Sequence, residues 1–219
     1  MTVRISTFAW VPPVAQGLVR DLRVRWALEE AGLPYDERPV RLGDHSAPDY
    51  VALQPFGQIP AYQEDGLTLF ESGAIVLHIA ERCQTLLPAE PKRRARAKTW
   101  MFAALNTVEP PIMFLNWLQQ MNSAEGNALR KPVNDWVQKR LHSLGDWLND
   151  RSYLEDRFTA ADLLMSTVLR ILQTTDLVSA IPSLAAYHSR CEGRPAFQRA
   201  LSAQMATFQE SEPSLQHSR

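Results

Sequence analysis

The spacing of apolar residues changes partway along the chain. Up to about residue 86, short stretches of alternating polarity are separated by turn residues. After about residue 92, apolar residues recur every three or four positions over long stretches. Alternation with a period of two is typical of strands, and intervals of three and four are typical of helices. The pattern therefore predicts an α/β first half followed by an all-helical second half.

The first half is predicted to have the order β-α-β-α-β-β-α. Its strands are expected at Val3–Phe8, 35–42, 59–63 and Leu67–Phe70. Pro39 makes the second of them either an edge strand or an irregular one, because proline cannot donate to a ladder. A stripe of Ala15, Val19, Leu22 and Trp26 predicts the first helix, which Gly32 and Pro34 end. The other two helices are expected at 49–53 and 72–83.

The second half is predicted to hold five helices, the first of them kinked or broken at Pro110 and Pro111. They are expected at 93–120, 132–148, 160–173, Pro182–Glu192 and 195–208. Pro88 and Pro91 bracket a short polar link of the kind that joins domains. We therefore expect a first domain at 1–86, a linker at 87–92, a helical domain at 93–210 and a mobile tail at 211–219.

Composition and charge exclude several classes of protein. The 219 residues are 45% hydrophobic and 21% charged, which is typical of a globular chain. Residues 1–86 carry 7 Lys+Arg against 11 Asp+Glu, the remainder carries 16 against 13, and the formal net charge is −1. No overall field attracts nucleic acid. The basic run KRRARAK lacks interleaved aromatics and is expected to be a solvated helix face.

Cysteine and histidine usage predicts neither a disulfide framework nor a metal site. Two cysteines, Cys83 and Cys191, cannot by themselves form a disulfide framework or supply the four ligands of a zinc site. The five histidines are scattered along the sequence. No apolar stretch approaches 18 residues and the N-terminus does not resemble a signal peptide, so we expect a cytoplasmic protein without membrane contact. Sequence signatures of dinucleotide, P-loop, zincin, hydrolase and dithiol chemistry are missing.

The segment QPFGQIPAYQEDGLTLFESGAI carries the candidate chemistry. If the Ile59–Pro60 bond is cis, the backbone of Ile59 can turn outward and pair with an extended peptide. Ser72 is a natural N-cap, and its helix would offer N–H groups to a carboxylate. Each feature alone is usually only a turn or a cap. Together, joined by a hairpin, they suit a small acidic peptide.

These residues resemble those of the soluble glutathione transferases, and the run GDHSAPDYVALQPFGQIPAYQEDGLTLFESGAI is closest to the phi/theta-like and related bacterial classes. The resemblance implies a thioredoxin-like N-terminal domain and an all-helical C-terminal domain. It also implies that Ile59, before Pro60, pairs with the cysteinyl unit of glutathione, and that Glu71 and Ser72 hold the γ-glutamyl end. Gln58 and His45 match positions near the peptide, whereas Ser46 stands where the family often has lysine.

The C-terminal half supports the same resemblance. In FTAADLL, Thr159 is expected to cap a helix and Asp162 to complete a capping box, a structural role. The resemblance covers about residues 1–205. It implies glutathione as co-substrate, a homodimer and a part in detoxification.

The residue that activates the thiol departs from the family pattern. Leu18 occupies the usual serine position, and no Tyr, Ser or Cys lies between Phe8 and Asp21. Three substitutes remain open: the Trp10 indole, the Gln16 amide, and backbone N–H groups at a helix start near Gly17. Packing of Trp10 against the neighbouring prolines is an equal alternative.

An acceptor pocket is expected along the first turns of the long helix, where Met101 and Asn106 are the candidates, together with Trp100 and Glu109. The apolar stripe predicts that Cys83 is buried, and the position of Cys191 near a helix end predicts that it is exposed.

Three hypotheses follow. The first is transfer of glutathione to a small electrophilic, hydrophobic acceptor by its activated thiolate. The second, favoured by the missing hydroxyl, is glutathione-dependent reduction of a disulfide or peroxide. The third is a binding or assembly module of the same fold without catalysis.

Overall fold

A computed structural model of the protein describes residues 2–121 and 123–211. Its contacts form two compact units, of which the second is Ile79–Arg194 and the first comprises the chain up to His78 and again from Pro195. This division differs from the domains expected from sequence, because the last helix packs in the first unit. Of the expected tail at 211–219, residues 212–219 lie outside the described residues.

The first unit is built on a four-stranded mixed sheet of order β2-β1-β3-β4. β1 and β2 are parallel, and β3 is antiparallel to both β1 and β4. The predicted order of strands and helices is confirmed, with β1 at Val3–Phe8, α1 at Asp21–Ala31, β2 at Tyr35–Val40, α2 at Pro48–Val51, β3 at Ala61–Glu64, β4 at Leu67–Phe70 and α3 at Ser72–Ala80.

The first helix begins later than its apolar stripe predicted. Pro13–Ala15 forms a single 3-10 turn, Gly17 has a φ of 76°, and α1 starts only at Asp21. Proline fixes the backbone and a left-handed residue interrupts a helix, so the stripe could not extend back to Ala15. The proposed helix start near Gly17 is therefore wrong. Gly32, with a φ of 65°, ends α1 as expected.

The last helix, α9 at Pro195–Glu210, returns to pack on α1. The rings of Trp26 and Phe197 meet edge to face with centroids 4.7 Å apart. Both helices are buried along this contact, which makes α9 part of the core of the first unit.

A buried ionic cluster joins α9, α1 and β2. The fully buried Arg25 donates to Asp21 at 2.8 Å and to both carboxylate oxygens of Glu37. From α9, Gln204 donates to Asp21 at 2.7 Å and Thr207 donates to Glu37 at 2.8 Å. Burial by itself would lower the pKa of Arg25, but its hydrogen bonds with Glu37 and Asp21 raise it. The guanidinium therefore stays charged, as a buried charge with close partners does.

The second unit is all-helical, as predicted. Its helices are α4 at Pro91–Ala103, α5 at Glu109–Gln120, α6 at Ala124–Leu148, α7 at Ala160–Leu169 and α8 at Pro182–Glu192. The predicted kink is a π-helical turn, Ala104–Val108, between α4 and α5. Pro110 and Pro111 lack the N–H groups that an uninterrupted helix would use, so they stand in the first turn of α5.

The helix expected from Pro132 instead begins eight residues earlier. Ser123 caps α6 by accepting a hydrogen bond from the Gly126 N–H at 3.0 Å, and Pro132 lies inside the helix. An interior proline therefore failed as a start signal here. The local cap set the boundary.

Thr159 and Asp162 form a capping box at the start of α7. One carboxylate oxygen of Asp162 accepts from the Leu154 N–H and the other from the Thr159 N–H, both at 2.8 Å. Burial raises the pKa of Asp162 from 3.8 to about 6, although these hydrogen bonds act in the opposite direction. The arrangement is structural, since it ties the helix start to the preceding loop.

The basic run on α4 is compensated by acidic side chains. Arg94 and Lys98 both pair with Glu81, at 3.1 and 3.0 Å. Arg96 pairs with Glu155 at 2.6 Å and Arg93 with Asp156 at 2.8 Å. The run is an ion-paired helix face, as expected of a solvated surface.

The two cysteines carry thiols, and their environments are the reverse of those predicted. Cys191 is fully buried in α8, whereas Cys83 lies past the end of α3 and is partly exposed. The predicted helix around Cys83 ends at Ala80, which takes that cysteine off the apolar stripe. Burial raises the pKa of the Cys191 thiol, so neither its position nor its ionisation suits catalysis.

Neither a bilayer-spanning helix nor a cluster of metal-ligating side chains occurs in the part of the chain that the structure describes. Within 2–121 and 123–211, none of the helices has the length and apolarity needed to cross a bilayer. Over the same residues, the side chains of His, Cys, Asp and Glu form no group of three that could hold a metal ion.

Candidate active site

The candidate site is built around the loop that enters β3. The Ile59–Pro60 bond is cis. Gly57, two residues earlier, has a φ of 61°, and a Cβ at this position would stand 2.9 Å from the carbonyl oxygen of His45. Only glycine suits both the left-handed backbone and this close approach. The glycine turn therefore brings the His45 loop against the loop of Ile59.

The Ile59 side chain is buried while its backbone polar groups are unused. The side chain packs in a cluster with Val40 and Tyr50, and Phe8 lies against that cluster. Over the described part of the chain, neither the N–H nor the C=O of Ile59 has a hydrogen-bond partner. Buried backbone groups are almost always paired, so an adjacent unpaired N–H and C=O indicate a place for an external peptide.

The β3–β4 hairpin brings the Glu71–Ser72 pair to the same end of the sheet. Ala61 pairs with Phe70 across the hairpin, so the residues just before Ala61 and just after Phe70 are neighbours. Ser72 is 95% buried, since its exposure is 5%, and Glu71 is exposed with a φ of 69°. The two predicted glutathione contacts therefore stand beside Ile59 and Pro60.

Ser72 is the first residue of α3 and not its N-cap. The Glu71 carbonyl accepts the first helical hydrogen bond, from the Ile75 N–H at 3.0 Å, so Glu71 occupies the capping position. Glu71, with its positive φ, is therefore the single residue between the end of β4 and the start of α3. The N-terminal N–H groups of α3 remain available for an anion as the helix geometry requires.

Arg23 is a candidate site residue that the sequence did not single out. It is 3% exposed on α1, and its guanidinium donates to the Ser72 Oγ at 3.2 Å. Because the Ser72 oxygen already accepts this bond, the Ser72 proton can be directed at a bound carboxylate. A buried arginine also adds positive charge there. No motif marks it, since the apolar stripe of α1 assigns positions 22 and 26 to the core and gives position 23 no role.

His45 is half-buried beside the end of β1. Its ring meets Phe8 edge to face with centroids 5.6 Å apart. The His45 Nδ1 accepts a hydrogen bond from the Gly43 N–H at 3.1 Å, so a neutral ring carries its proton on Nε2. The ring can then donate to a carboxylate. Gln58 has an exposed side chain, and its carbonyl accepts from the Tyr50 hydroxyl at 2.8 Å.

The two side-chain candidates for thiol activation differ in their hydrogen bonding. The amide nitrogen of Gln16 donates to the Val11 carbonyl at 3.2 Å. The Trp10 Nε1 is buried, and no residue in the described ranges accepts its proton. Both lie in the loop after β1, whose last residue, Phe8, packs on the Ile59 cluster. The loop that follows β1, next to the Ile59 cluster, therefore carries an N–H donor, that of the Trp10 indole, without an acceptor.

The two acceptor-pocket candidates have different environments. Met101 is buried on α4, with an exposure of 4%, whereas Asn106 is exposed in the π-helical turn. Of the pair, only Asn106 offers its side chain to a ligand in this structure.

Comparison with known proteins agrees with this geometry. The profile of the glutathione S-transferase N-terminal domain matches residues 16–81, and that of the glutathione S-transferase C-terminal domain matches residues 108–195. Glutathione S-transferase 3 of Zea mays is 32% identical over 83% of this chain and 88% of its own length.

Two further relatives extend the comparison. The maleylacetoacetate isomerase of Pseudomonas aeruginosa is 32% identical over 76% of this chain and 89% of its own. The crystal structure of glutathione transferase F7 from Populus trichocarpa superposes with a TM-score of 0.79 and 27% identity, covering 93% of this chain and 99% of that one. The paired N- and C-terminal profiles, and these similarities over three quarters of the chain or more, show that the chain belongs to the glutathione S-transferase family.

Proposed function

We propose that the protein binds glutathione and activates its thiol for attack on a small electrophilic, hydrophobic acceptor. The observation that carries the proposal is the unpaired backbone of Ile59 beside the Glu71–Ser72 turn. That edge suits the cysteinyl unit of an extended peptide, and the helix start suits the γ-glutamyl carboxylate. Membership of the glutathione S-transferase family is the second support for glutathione as the ligand.

Each part of glutathione has a candidate partner. The N–H and C=O of Ile59 pair with the cysteinyl unit, as a short antiparallel strand would. Ser72, supported by Arg23, and the N-terminus of α3 receive the γ-glutamyl carboxylate, while the exposed Glu71 receives the ammonium. His45 donates from Nε2 to the glycyl carboxylate, and Gln58 lies beside it.

Thiol activation falls to Trp10 in this proposal. A thiolate needs hydrogen-bond donors that favour its charged form, and the unpaired indole N–H of Trp10 is such a donor. Gln16 is the lesser candidate because its amide already serves Val11. The thiol releases its proton to solvent, and the thiolate then forms a carbon–sulfur bond with the electrophilic carbon of the acceptor. A substitution expels the leaving group, such as the halide of an aryl halide, and an addition to an activated double bond ends when the resulting carbanion takes a proton from solvent. Asn106 is the candidate contact for the acceptor.

The proposal is tested by the ultraviolet absorbance of the thiolate. Glutathione bound to the protein is titrated against pH, and its thiol is expected to ionise well below the free value of about 8.5. An ordinary pKa for the bound thiol would remove the catalytic claim and leave only binding.

Two alternatives are separated by the same preparation. Turnover of a small disulfide or a peroxide, without turnover of an aryl halide, would select the reductase; the absence of the usual hydroxyl near α1 favours this second candidate. A folded protein that shows no heat of binding with glutathione would select the non-catalytic module.

We further propose a cytoplasmic homodimer. The exposed aromatic pair of Phe56 and Phe70, with exposures of 69% and 36% and ring centroids 6.0 Å apart, supports a contact with a second copy. The two thiols are consistent with a reducing compartment. Sedimentation at the mass of a single chain would contradict the dimer.

A further inference from the structure

Two buried hydroxyl groups lie directly behind the loop of Ile59. Ser6 on β1 is 3% exposed and Tyr50 on α2 is 1% exposed. Their oxygen atoms are 2.7 Å apart. The Ser6 Oγ accepts from the Ala61 N–H at 2.6 Å, and the Tyr50 hydroxyl donates to the Gln58 carbonyl at 2.8 Å.

The direction of these bonds follows from the number of protons. Tyrosine has one hydroxyl proton, which it gives to the Gln58 carbonyl, so the bond between the two hydroxyls must be donated by Ser6. The chain of donors therefore runs from the Ala61 N–H through Ser6 and Tyr50 to the Gln58 carbonyl. Burial raises the pKa of Tyr50, so its hydroxyl keeps the donated proton throughout the neutral range.

The two ends of this relay enclose Ile59 and Pro60. The Gln58 carbonyl stands immediately before the pair, and the Ala61 N–H immediately after it. The β1–β3 ladder pairs Ile5 with Tyr62 and goes no further toward this loop, so at Ala61 the side chain of Ser6 takes over from the backbone. Pro60 has no N–H of its own. The relay is thus what anchors the chain on either side of the unpaired Ile59 backbone.

We propose that Ser6 and Tyr50 are positioning residues that orient the Ile59 N–H and C=O toward the cysteinyl unit of glutathione. Neither touches the peptide; they act by fixing the peptide planes that flank Ile59. This inference rests on the proposed function, because it concerns the same ligand. Because the backbone is already fixed on both sides of Ile59, it loses less conformational entropy when a peptide pairs with it. The smaller entropy loss strengthens binding.

The test compares Tyr50→Phe with Tyr187→Phe by calorimetric titration. Tyr187 is also fully buried, and its hydroxyl lies 3.2 Å from Asp162 in the second unit, so the control removes a comparable buried hydroxyl from the unit that does not contain Ile59. We expect Tyr50→Phe, and likewise Ser6→Ala, to weaken glutathione binding by about 5- to 10-fold. The Tyr187→Phe variant should bind as the unaltered protein does, even if its thermal midpoint falls.

A second ligand separates orientation from general loosening. In this analogue an ester oxygen replaces the N–H between the γ-glutamyl and cysteinyl units, which removes the donor to the Ile59 carbonyl. The unaltered protein should bind glutathione about 10-fold more tightly than the analogue. In the Tyr50→Phe variant, the ratio of the two dissociation constants should be much closer to one.

The outcomes are distinct. Binding of glutathione to the unaltered protein together with full affinity in Tyr50→Phe would overturn the positioning role. So would an equal loss for both ligands in Tyr50→Phe, or an equal loss of affinity in Tyr187→Phe. Absence of glutathione binding to the unaltered protein would overturn the proposed function itself.

Discussion

At the scale of single residues, Ser72 acts in partnership with Arg23. The serine oxygen accepts from the buried guanidinium at 3.2 Å, which leaves its proton for a ligand. Since Ser72 does not cap α3, its removal should affect binding more than folding. A helix start by itself favours any anion, and we propose that the Arg23–Ser72 pair restricts this one to a single carboxylate in one orientation.

We expect Ser72→Ala to weaken glutathione binding by about 10-fold, the value of a charge-assisted hydrogen bond. Because the Arg23 guanidinium keeps another partner when the Ser72 hydroxyl is lost, the free energy of unfolding should fall by less than about 1 kcal/mol. The matched control is Ser123→Ala, which removes the true cap of α6. It should lose about 1 kcal/mol of stability and no affinity. Calorimetry and urea unfolding report the two quantities, and the opposite assignment of losses would contradict the role of Ser72.

Trp10 should affect ionisation of the thiol rather than affinity. Trp10→Phe keeps one aromatic ring and removes the unpaired N–H donor together with the second ring of the indole. The pKa of bound glutathione should rise by about one unit, while its dissociation constant stays within about twofold. Gln16→Ala serves as the comparison and should leave the pKa in place. A rise in Gln16→Ala without one in Trp10→Phe would transfer the role to the glutamine.

At the scale of elements, the sequence pattern predicted the strands of the first unit well but misplaced the starts of two helices. The strands of the first unit were predictable because alternation with period two survives in a sheet whose faces differ in burial. The starts of α1 and α6 were not, since φ at Gly17 and the cap at Ser123 are local backbone events that an apolar stripe does not record. Glu71 is a third case, because a glutamate gives no sign that it adopts a positive φ.

The capping box of α7 predicts a pH dependence of stability. Burial holds the pKa of Asp162 at about 6 in the folded state against 3.8 for an ordinary aspartate. As pH rises from about 4 to 6, the unfolded chain releases this proton first, so the folded state binds more protons and loses stability. The contribution is complete below pH 4 and is lost as pH passes 6.

Urea unfolding of the protein and of Asp162→Asn over this range measures the effect. The stability advantage of aspartate should shrink on the order of 3 kcal/mol between pH 4 and pH 7. Thr159→Ala retains the carboxyl group and should keep a slope of the same sign. An advantage that is constant, or grows with pH, would contradict the raised pKa.

At the scale of the whole molecule, chain order and structural unit do not coincide. The charge change and the two prolines near residue 90 predicted a division that assigns every later helix to one domain. The side chains of α9 instead meet α1 and β2 in the first unit, a long-range pairing that depends on Arg25, Asp21 and Glu37. For the candidate site the limit was similar: the Ile59 and Ser72 motifs are local and could be read, whereas Arg23, Ser6 and Tyr50 reach the site through tertiary contacts.

The return of α9 makes the first unit dependent on the end of the chain. Ending the chain after Arg194 removes Phe197 from Trp26, Gln204 from Asp21 and Thr207 from Glu37, and exposes a face of α1 that is now buried. We expect this variant to lose glutathione binding and the near-ultraviolet circular dichroism of its aromatic core. A chain ended after Glu210 keeps α9 whole and should retain both.

A milder variant tests the same dependence without removing the helix. Gln204→Ala takes one hydrogen bond from the buried carboxylate of Asp21 and should cost about 1.5–3 kcal/mol in the free energy of unfolding. Gln204 also donates to the Val19 carbonyl at 3.2 Å, and Val19 packs against the Ile59 cluster. The affinity of this variant for glutathione should therefore fall along with its stability, but by less than in the chain ended after Arg194. Retained binding in the chain ended after Arg194 would show that the first unit holds its site without α9, and would restore the division of the chain that its sequence predicts.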